Sequence, residues 1–154
     1  MTGLIVLGVA LAASVALGVW YQRSNGRFRN LETADAAMQD SERLSVQQIG
    51  AQQIGASLGE RATLVQFSSA FCAPCRATRA LLTDVASGLE GVEAVEIDAE
   101  SHLDLVRELD VMRTPTTFVL DARGMIVTRA AGLPKRDQVL RVLAAIPGIE
   151  RPES

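Results

Sequence analysis

The segment Cys72-Ala-Pro-Cys75 contains both cysteines of the 154-residue chain, and it separates a predicted strand from a predicted helix. The apolar run Thr63–Ser68 before it indicates a buried strand, and a helix is predicted from about Cys72 to Leu89. Two thiols at this spacing fall on one helical turn, and the first lies at the positive end of the helix dipole, which favours the thiolate. The motif therefore predicts dithiol–disulfide exchange.

A regular series of strand and helix patterns continues from Gly59 toward the C-terminus. After the first strand and helix, the predicted elements are the strand Val92–Ile97 closed by Asp98, a helix capped by Ser101, the strand Thr116–Leu120 behind Pro115, a turn at 121–124, the strand Met125–Ala130 and the helix Lys135–Ile146. This order predicts an α/β domain over residues 59–148, with a central mixed β-sheet flanked by helices and a tail over 149–154.

The N-terminal part of the chain is strongly apolar, with no charged side chain from residue 3 to residue 20. As a helix this run would extend about 27 Å, close to the roughly 30 Å hydrocarbon core of a bilayer. The aromatic pair Trp20-Tyr21 ends the run, as is typical at a membrane interface. A cleavable signal peptide is the alternative, but it would need a basic start, and Met1-Thr2 has none. We therefore expect residues 1–21 to be a transmembrane anchor in contact with lipid.

Basic residues follow the apolar run rather than precede it, at Arg23, Arg27 and Arg29. Because an excess of positive charge stays on the cytoplasmic side of a membrane, the sequence predicts a single-pass protein of the cell membrane with a cytoplasmic domain. Residues 22–58 are predicted to be a juxtamembrane tether and a variable N-terminal segment, with a loop or short helix ahead of the first core strand. The net charge of −3 argues against a nucleic-acid partner.

Four separated features of the predicted domain resemble the thioredoxin superfamily. They are the strand and motif Val65–Cys75, Ile97-Asp98 at the end of the next strand, Thr114-Pro115-Thr116, and Gly132 after the hairpin. In layout the chain is similar to the membrane-anchored thioredoxin-like (thioredoxin domain-containing) proteins of bacteria. The resemblance implies a thioredoxin-like fold and thiol–disulfide oxidoreductase activity of the protein-disulfide reductase type. It also implies no cofactor beyond the cysteine pair, and no metal.

The chemistry of the pair assigns a different task to each cysteine. We expect the Cys72 thiolate to attack a substrate disulfide, and Cys75 then to attack Cys72 and release the reduced substrate. Arg76 adds positive charge near the nucleophile. Pro74 suits the first helical turn, where its missing N–H has no intrahelical partner to lose.

The resemblance implies further residues that support the pair and receive substrate. The Thr114-Pro115 peptide bond is implied to be cis and to lie against the dithiol, where the backbone offers strand-like hydrogen bonds to a bound peptide. Phe71, Pro74 and Gly132 are implied to form an apolar rim. Disulfide-containing proteins are the implied substrates, and a thioredoxin-reductase-like protein or another dithiol is the implied electron donor.

Several positions depart from the family pattern. Phe71 stands where the family usually has tryptophan, and Ala73 replaces the usual glycine. Gln66 occupies the place of the buried carboxylate beneath the dithiol, and Ala94 occupies the place of its lysine partner. The loss of that ion pair removes a desolvation cost, but it also removes the obvious general base for Cys75.

The sequence leaves other functions open. An outward-facing domain would favour an extracytoplasmic thiol oxidase or isomerase, or a cytochrome-maturation-type protein. A redox-inert thioredoxin-fold binding module is a second alternative. A metal-binding module is a third, and its available soft ligands are Cys72, Cys75 and His102.

Overall fold

The computed structural model describes residues 2–24 and 48–149. Most of the predicted tether, residues 25–47, and the tail residues 150–154 lie outside the described part of the chain. In chain order the elements are α1 (Thr2–Ser24), α2 (Ala51–Ile54), β1 (Ala62–Ser68), α3 (Ala73–Ser87), β2 (Val92–Asp98), α4 (Leu103–Glu108), β3 (Thr116–Asp121), β4 (Ile126–Ala131) and α5 (Arg136–Ala144). The predicted order of strands and helices is confirmed from β1 to α5, and the predicted element ends agree within about two residues.

The helix α1 coincides with the apolar N-terminal run. Its side chains are described from Val6 to Trp20, and all of them are exposed. Among the residues whose side chains are described, no helix is both long and apolar enough to cross a membrane.

The four strands form one mixed sheet in the order β2-β1-β3-β4. β1 pairs with β2 in parallel and with β3 in antiparallel fashion, and β3 pairs with β4 antiparallel. Every residue of β1 is buried, because this strand lies inside the sheet with packed layers on both faces. The predicted α/β class with a central mixed sheet flanked by helices is confirmed.

Two apolar layers cover the two faces of the sheet. One layer joins α3 and α5 to the sheet through residues such as Leu64, Leu82 and Leu143. The other joins α4 and the segment around α2 to the opposite face, with Phe67 and Phe118 at its centre. Their rings meet edge to face with centroids 5.6 Å apart. The sheet is therefore a fixed platform from which β1 presents its C-terminal end.

Residues ahead of the predicted boundary at residue 59 also pack against the core. Ile49 and Ile54 are only 1% and 6% exposed, and both belong to the layer around Phe67. The Ile49 N–H donates to Gly124 O at 2.9 Å, which ties this segment to the β3–β4 hairpin. At the other end, Ile149 is also buried, one residue beyond the predicted limit. Apolar burial at both ends extends the domain past the region with regular periodicity.

The prediction that Ser101 caps α4 is wrong. His102 occupies the N-cap position, and no side chain caps the helix there. The Ser101 hydroxyl instead donates to Asp98 Oδ2 at 2.6 Å, and the Glu100 N–H donates to Asp98 Oδ1 at 3.1 Å. Asp98, at the end of β2, therefore holds the turn that leads into α4.

Candidate active site

The two cysteines lie at the junction between β1 and α3. Cys72 is the N-cap residue of α3, and Cys75 lies within its first turn. They form a disulfide with Cα atoms 5.3 Å apart. Cys72 is half-buried, whereas Cys75 is only 3% exposed. The structure therefore gives the pair an accessible sulfur and an enclosed one.

The first turn of α3 carries the other residues singled out around the motif. Ala73, Pro74 and Arg76 are all exposed on this turn. Pro74 lies in the first turn as predicted, and its carbonyl accepts a hydrogen bond from Thr78 Oγ1 at 3.0 Å. Because N–H groups at a helix N-terminus have no intrahelical partner, their positive field acts on the Cys72 sulfur.

Gln66 supports this turn from below. Its side chain is 1% exposed, and its Nε2 donates to the carbonyl of Cys75 at 3.0 Å. This bond anchors the start of α3 to the centre of the sheet. The other end of the amide, Oε1, is enclosed and has no hydrogen-bond partner among the described residues.

A second loop lies beside the cysteine loop. The Thr114–Pro115 peptide bond is cis. The hydroxyls of Ser69 and Thr114 are 3.0 Å apart, so the loop after β1 is hydrogen-bonded to this one. Gly132 lies next to this loop, because its N–H donates to Pro115 O at 2.7 Å. Gly132 has a φ of 93°, a conformation that glycine adopts without strain.

Large apolar side chains are exposed on these loops. Phe71, next to Cys72, is 102% exposed, Met112 is 84% exposed, and Leu133 is 43% exposed. Met112 and Leu133 were not among the predicted site residues. In the sequence, only their positions could have indicated them, because Met112 shortly precedes Thr114 and Leu133 directly follows Gly132.

A groove of about 680 Å³ opens on the β2 side of the cysteines. Its lining includes both sulfur-bearing residues together with Arg76, Arg79, Glu96 and Asp98. Glu96 was missed in the sequence, although its place in β2 gives a signal. It alternates with Val92 and Ala94 on the face of the sheet that packs against α3, where a charged residue is unusual.

One ion pair and one hydrogen-bonded carboxylate define the polar wall of this groove. Arg79 Nη2 lies 2.5 Å from Glu96 Oε2, with Arg79 57% and Glu96 26% exposed. At the end of β2, the Ser101 hydroxyl bond lowers the pKa of Asp98 below its ordinary 3.8. The Glu100 N–H and the nearby His102 act in the same direction. Asp98 therefore remains an anion at neutral pH.

The cysteines and His102 are the candidate soft metal ligands of the sequence. Within residues 2–24 and 48–149, no group of three or more histidine, cysteine, aspartate or glutamate side chains is arranged to hold a metal ion. The nitrogen Nδ1 of His102 instead lies 3.0 Å from the Asp98 carbonyl oxygen.

Known proteins resemble this chain in sequence. The thioredoxin family profile matches residues 47–145. Among curated proteins, Thioredoxin H2 of Arabidopsis thaliana is 33% identical over 72 residues, which are 47% of this chain and 53% of that protein. The match thus spans about half of that relative. The thioredoxin of Chlamydia trachomatis is 24% identical over 99 residues, covering 64% of this chain and 96% of its own.

Solved structures show the same fold. A mutant thioredoxin from Halobacterium salinarum superposes with a TM-score of 0.55 at 18% identity, covering 64% of this chain and 86% of its own. Mitochondrial thioredoxin 3 from Saccharomyces cerevisiae, in its oxidised form, gives a TM-score of 0.50 at 18% identity, covering 56% and 80%. The fold, the cysteine pair between β1 and α3, and the profile match over residues 47–145 agree, and the chain belongs to the thioredoxin family.

Proposed function

We propose that this chain is a thiol–disulfide oxidoreductase that reduces protein disulfides through Cys72 and Cys75. The unequal burial of the two sulfur-bearing residues carries the proposal. Cys72 is half-buried at the N-terminus of α3, while Cys75 is 3% exposed within the first turn. A nucleophile must reach a large substrate, whereas a resolving thiol needs to reach only its neighbour.

The proposed reaction begins with the reduced pair. The Cys72 thiolate attacks one sulfur of a substrate disulfide, which breaks that bond and releases one substrate thiolate. Cys75 then loses its proton and attacks Cys72 Sγ, forming the Cys72–Cys75 disulfide and releasing the second substrate thiolate. Two electrons pass from the chain to the substrate, and protons convert both released sulfurs to thiols.

The loops around the pair supply a surface for the substrate. Phe71, Met112 and Leu133 expose apolar area next to the motif, next to Thr114-Pro115 and next to Gly132. Apolar side chains around an accessible sulfur favour an extended segment of a partner protein over a small polar disulfide. Cysteine-containing protein segments are therefore the proposed substrates.

A further turnover requires the disulfide to be reduced again. The proposed donor is a dithiol protein, either thioredoxin-reductase-like or another dithiol, whose own thiolate attacks the half-buried Cys72 sulfur. The donor becomes oxidised as Cys72 and Cys75 regain their thiols.

We also propose that α1 tethers the domain to the cell membrane and that the domain faces the cytoplasm. The helix extends over Thr2–Ser24, and its apolar residues occur on every side. A helix that is apolar all round requires an apolar environment. Arg23, Arg27 and Arg29 follow its apolar run and favour the cytoplasmic side for the domain.

Trapping of the mixed disulfide tests the proposed reaction. The full chain in detergent is reduced, freed of reductant and incubated with insulin, and products are analysed on non-reducing gels and by mass spectrometry. Cys75→Ser is expected to accumulate a covalent chain–insulin adduct, because nothing resolves the Cys72 bond. Cys72→Ser is expected to accumulate none, because the remaining sulfur is enclosed.

The wild-type chain is the matched control, and it should reduce insulin without retaining the adduct. Equal trapping by both single variants would contradict the assigned roles. A wild-type chain that leaves insulin disulfides intact, even with dithiothreitol as donor, would contradict the proposed activity.

A further inference from the structure

We propose that Glu96 is the proton acceptor for Cys75, the general base for which the sequence offers no obvious candidate. The inference rests on the proposed thiol–disulfide exchange and assigns a catalytic residue to its second step. It is carried by the position of Glu96 in the sheet, by its unpartnered oxygen, and by the groove that it shares with the two cysteines.

The first observation is a polar row across the sheet beneath α3. Glu96 on β2 is paired in register with Gln66 on β1, and Gln66 is paired in register with Thr117 on β3. Residues in register share a face of the sheet, and this face packs against α3. The row therefore runs from the sheet edge to a position directly below Cys75, whose carbonyl binds Gln66.

The second observation is that this row holds unused acceptor atoms. Among the described residues, the enclosed side-chain atoms without a hydrogen-bond partner are Gln66 Oε1, Glu96 Oε1 and Thr117 Oγ1. Buried polar atoms usually have a partner, so each exception needs an explanation, and a catalytic role is one. Of these three groups, only the side chain of Glu96 is a carboxylate that can serve as a base.

The third observation is the shared groove. Cys72, Cys75 and Glu96 line the same groove of about 680 Å³. Arg79 binds Glu96 Oε2 at 2.5 Å and leaves Oε1 free. Because the Arg79 side chain is 57% exposed, solvent weakens this ion pair, and Arg79 holds the carboxylate in place through one of its two oxygens.

The other charged groups of the groove are Arg76 on α3 and Asp98 at the end of β2. Arg76 is a cation and cannot accept a proton. The Asp98 carboxylate is already engaged by Ser101 and the Glu100 N–H, and its pKa is lowered by those bonds. It is therefore a poorer proton acceptor than a carboxylate with a free oxygen.

Atoms and electrons balance in the proposed step. In the mixed disulfide, the proton of the Cys75 thiol passes through water to the Glu96 carboxylate. The Cys75 thiolate attacks Cys72 Sγ, the new S–S bond forms, and the bond to the substrate sulfur breaks. The departing substrate thiolate takes a proton from the protonated Glu96 or from solvent, since this side chain is 26% exposed. The carboxylate is then ready for the next turnover.

Single-turnover kinetics with dithionitrobenzoate separate the two steps. The reduced full chain in detergent is mixed in stopped flow with less than one equivalent of this chromogenic disulfide. The first release of nitrothiobenzoate reports attack by Cys72, and the second reports attack by Cys75. At about pH 7, Glu96→Gln should leave the first rate unchanged and slow the second about 100-fold, the lower end of general-base contributions.

The pH profile distinguishes a proton acceptor from a structural residue. As the pH rises above the ordinary thiol pKa of about 8.5, hydroxide can increasingly replace a general base. The deficit of Glu96→Gln should therefore disappear at about pH 10, whereas a distorted groove would remain slow at every pH. Glu93→Gln, an exposed carboxylate of the same strand, is the matched control and should keep both rates. Asp98→Asn tests the other carboxylate of the groove, and it should not reproduce the loss of the second rate.

Two outcomes would overturn the assignment of Glu96: a wild-type second rate in Glu96→Gln at pH 7, or an equal slowing in Asp98→Asn. Failure of the proposed function would be visible separately, because the wild-type chain itself would then release only one nitrothiobenzoate per mixed disulfide. If the wild-type chain releases both equivalents of nitrothiobenzoate and Glu96→Gln behaves identically, Glu96 is not the proton acceptor, but the proposed oxidoreductase activity is retained.

Discussion

Phe67 and Phe71 are the same type of residue in two different environments. Phe67, within β1, is fully buried and meets Phe118 edge to face. Phe71, in the loop that follows, is 102% exposed beside Cys72. The first ring holds β1 against one apolar layer, and the second remains available to a substrate. Under the proposed function, the strand residue would serve stability and the loop residue would serve substrate recognition.

The same truncation at both positions tests this division. Phe67→Ala should lower the free energy of unfolding by about 3–5 kcal/mol, because it leaves a cavity in the core. Phe71→Ala should change it by less than about 0.5 kcal/mol, but it should raise the KM for insulin. Denaturant unfolding and steady-state insulin reduction measure the two effects. A similar loss of stability in both variants would show that the loop ring is packed in solution.

Sequence and structure agree best where a residue's role is local. The order strand, cysteine motif and helix follows from short-range pattern, and the cis Thr114–Pro115 bond was implied by the family resemblance. Glu96 could not be assigned in this way. Its role depends on which face of β2 is covered and on the register that sets it beside Gln66, and both are properties of the assembled sheet.

At the scale of elements, the packing of the segment around α2 is the feature that the sequence pattern predicted least. It consists of two consecutive copies of Gln-Gln-Ile-Gly-Ala, over residues 47–56, which show neither strand nor helix periodicity. Each copy nevertheless contributes its isoleucine, Ile49 or Ile54, to the layer around Phe67. The hydrogen bond from Ile49 to Gly124 joins residues far apart in the chain, so a local reading of the sequence could not reveal it.

Two shortened chains test the contribution of this segment. A chain that starts at residue 48 should be more stable than one that starts at residue 59 by about 3–6 kcal/mol, the value of two buried isoleucines. Urea unfolding of both chains gives the difference. The double substitution Ile49→Ala and Ile54→Ala in the full chain should reproduce most of it. Coincident unfolding curves for the two shortened chains would mean that the packing around α2 adds nothing to stability.

At the scale of the whole molecule, an apolar helix and a folded redox domain coexist in one chain. The side chains of α1 from Val6 to Trp20 are exposed, including Leu7 at 58% and Leu17 at 66%. Exposed apolar area of this extent is unfavourable in water. The proposed bilayer attachment would cover it, and it would restrict the domain to substrates near the membrane surface.

The two cysteines make the orientation of the domain measurable, because the chain has no others. Intact cells are treated with a permeant phosphine to reduce the pair, and then with a membrane-impermeant maleimide. The proposed cytoplasmic domain should stay unlabelled until the cells are lysed, since positive charge at Arg23, Arg27 and Arg29 favours the cytoplasmic side for this flank. Replacing these three arginines with glutamate should weaken that bias and expose part of the population to label, while a Cys72→Ser/Cys75→Ser chain reports the background. Labelling of the wild-type chain on intact cells would place the domain outside, where a more oxidising poise would favour thiol oxidation over reduction.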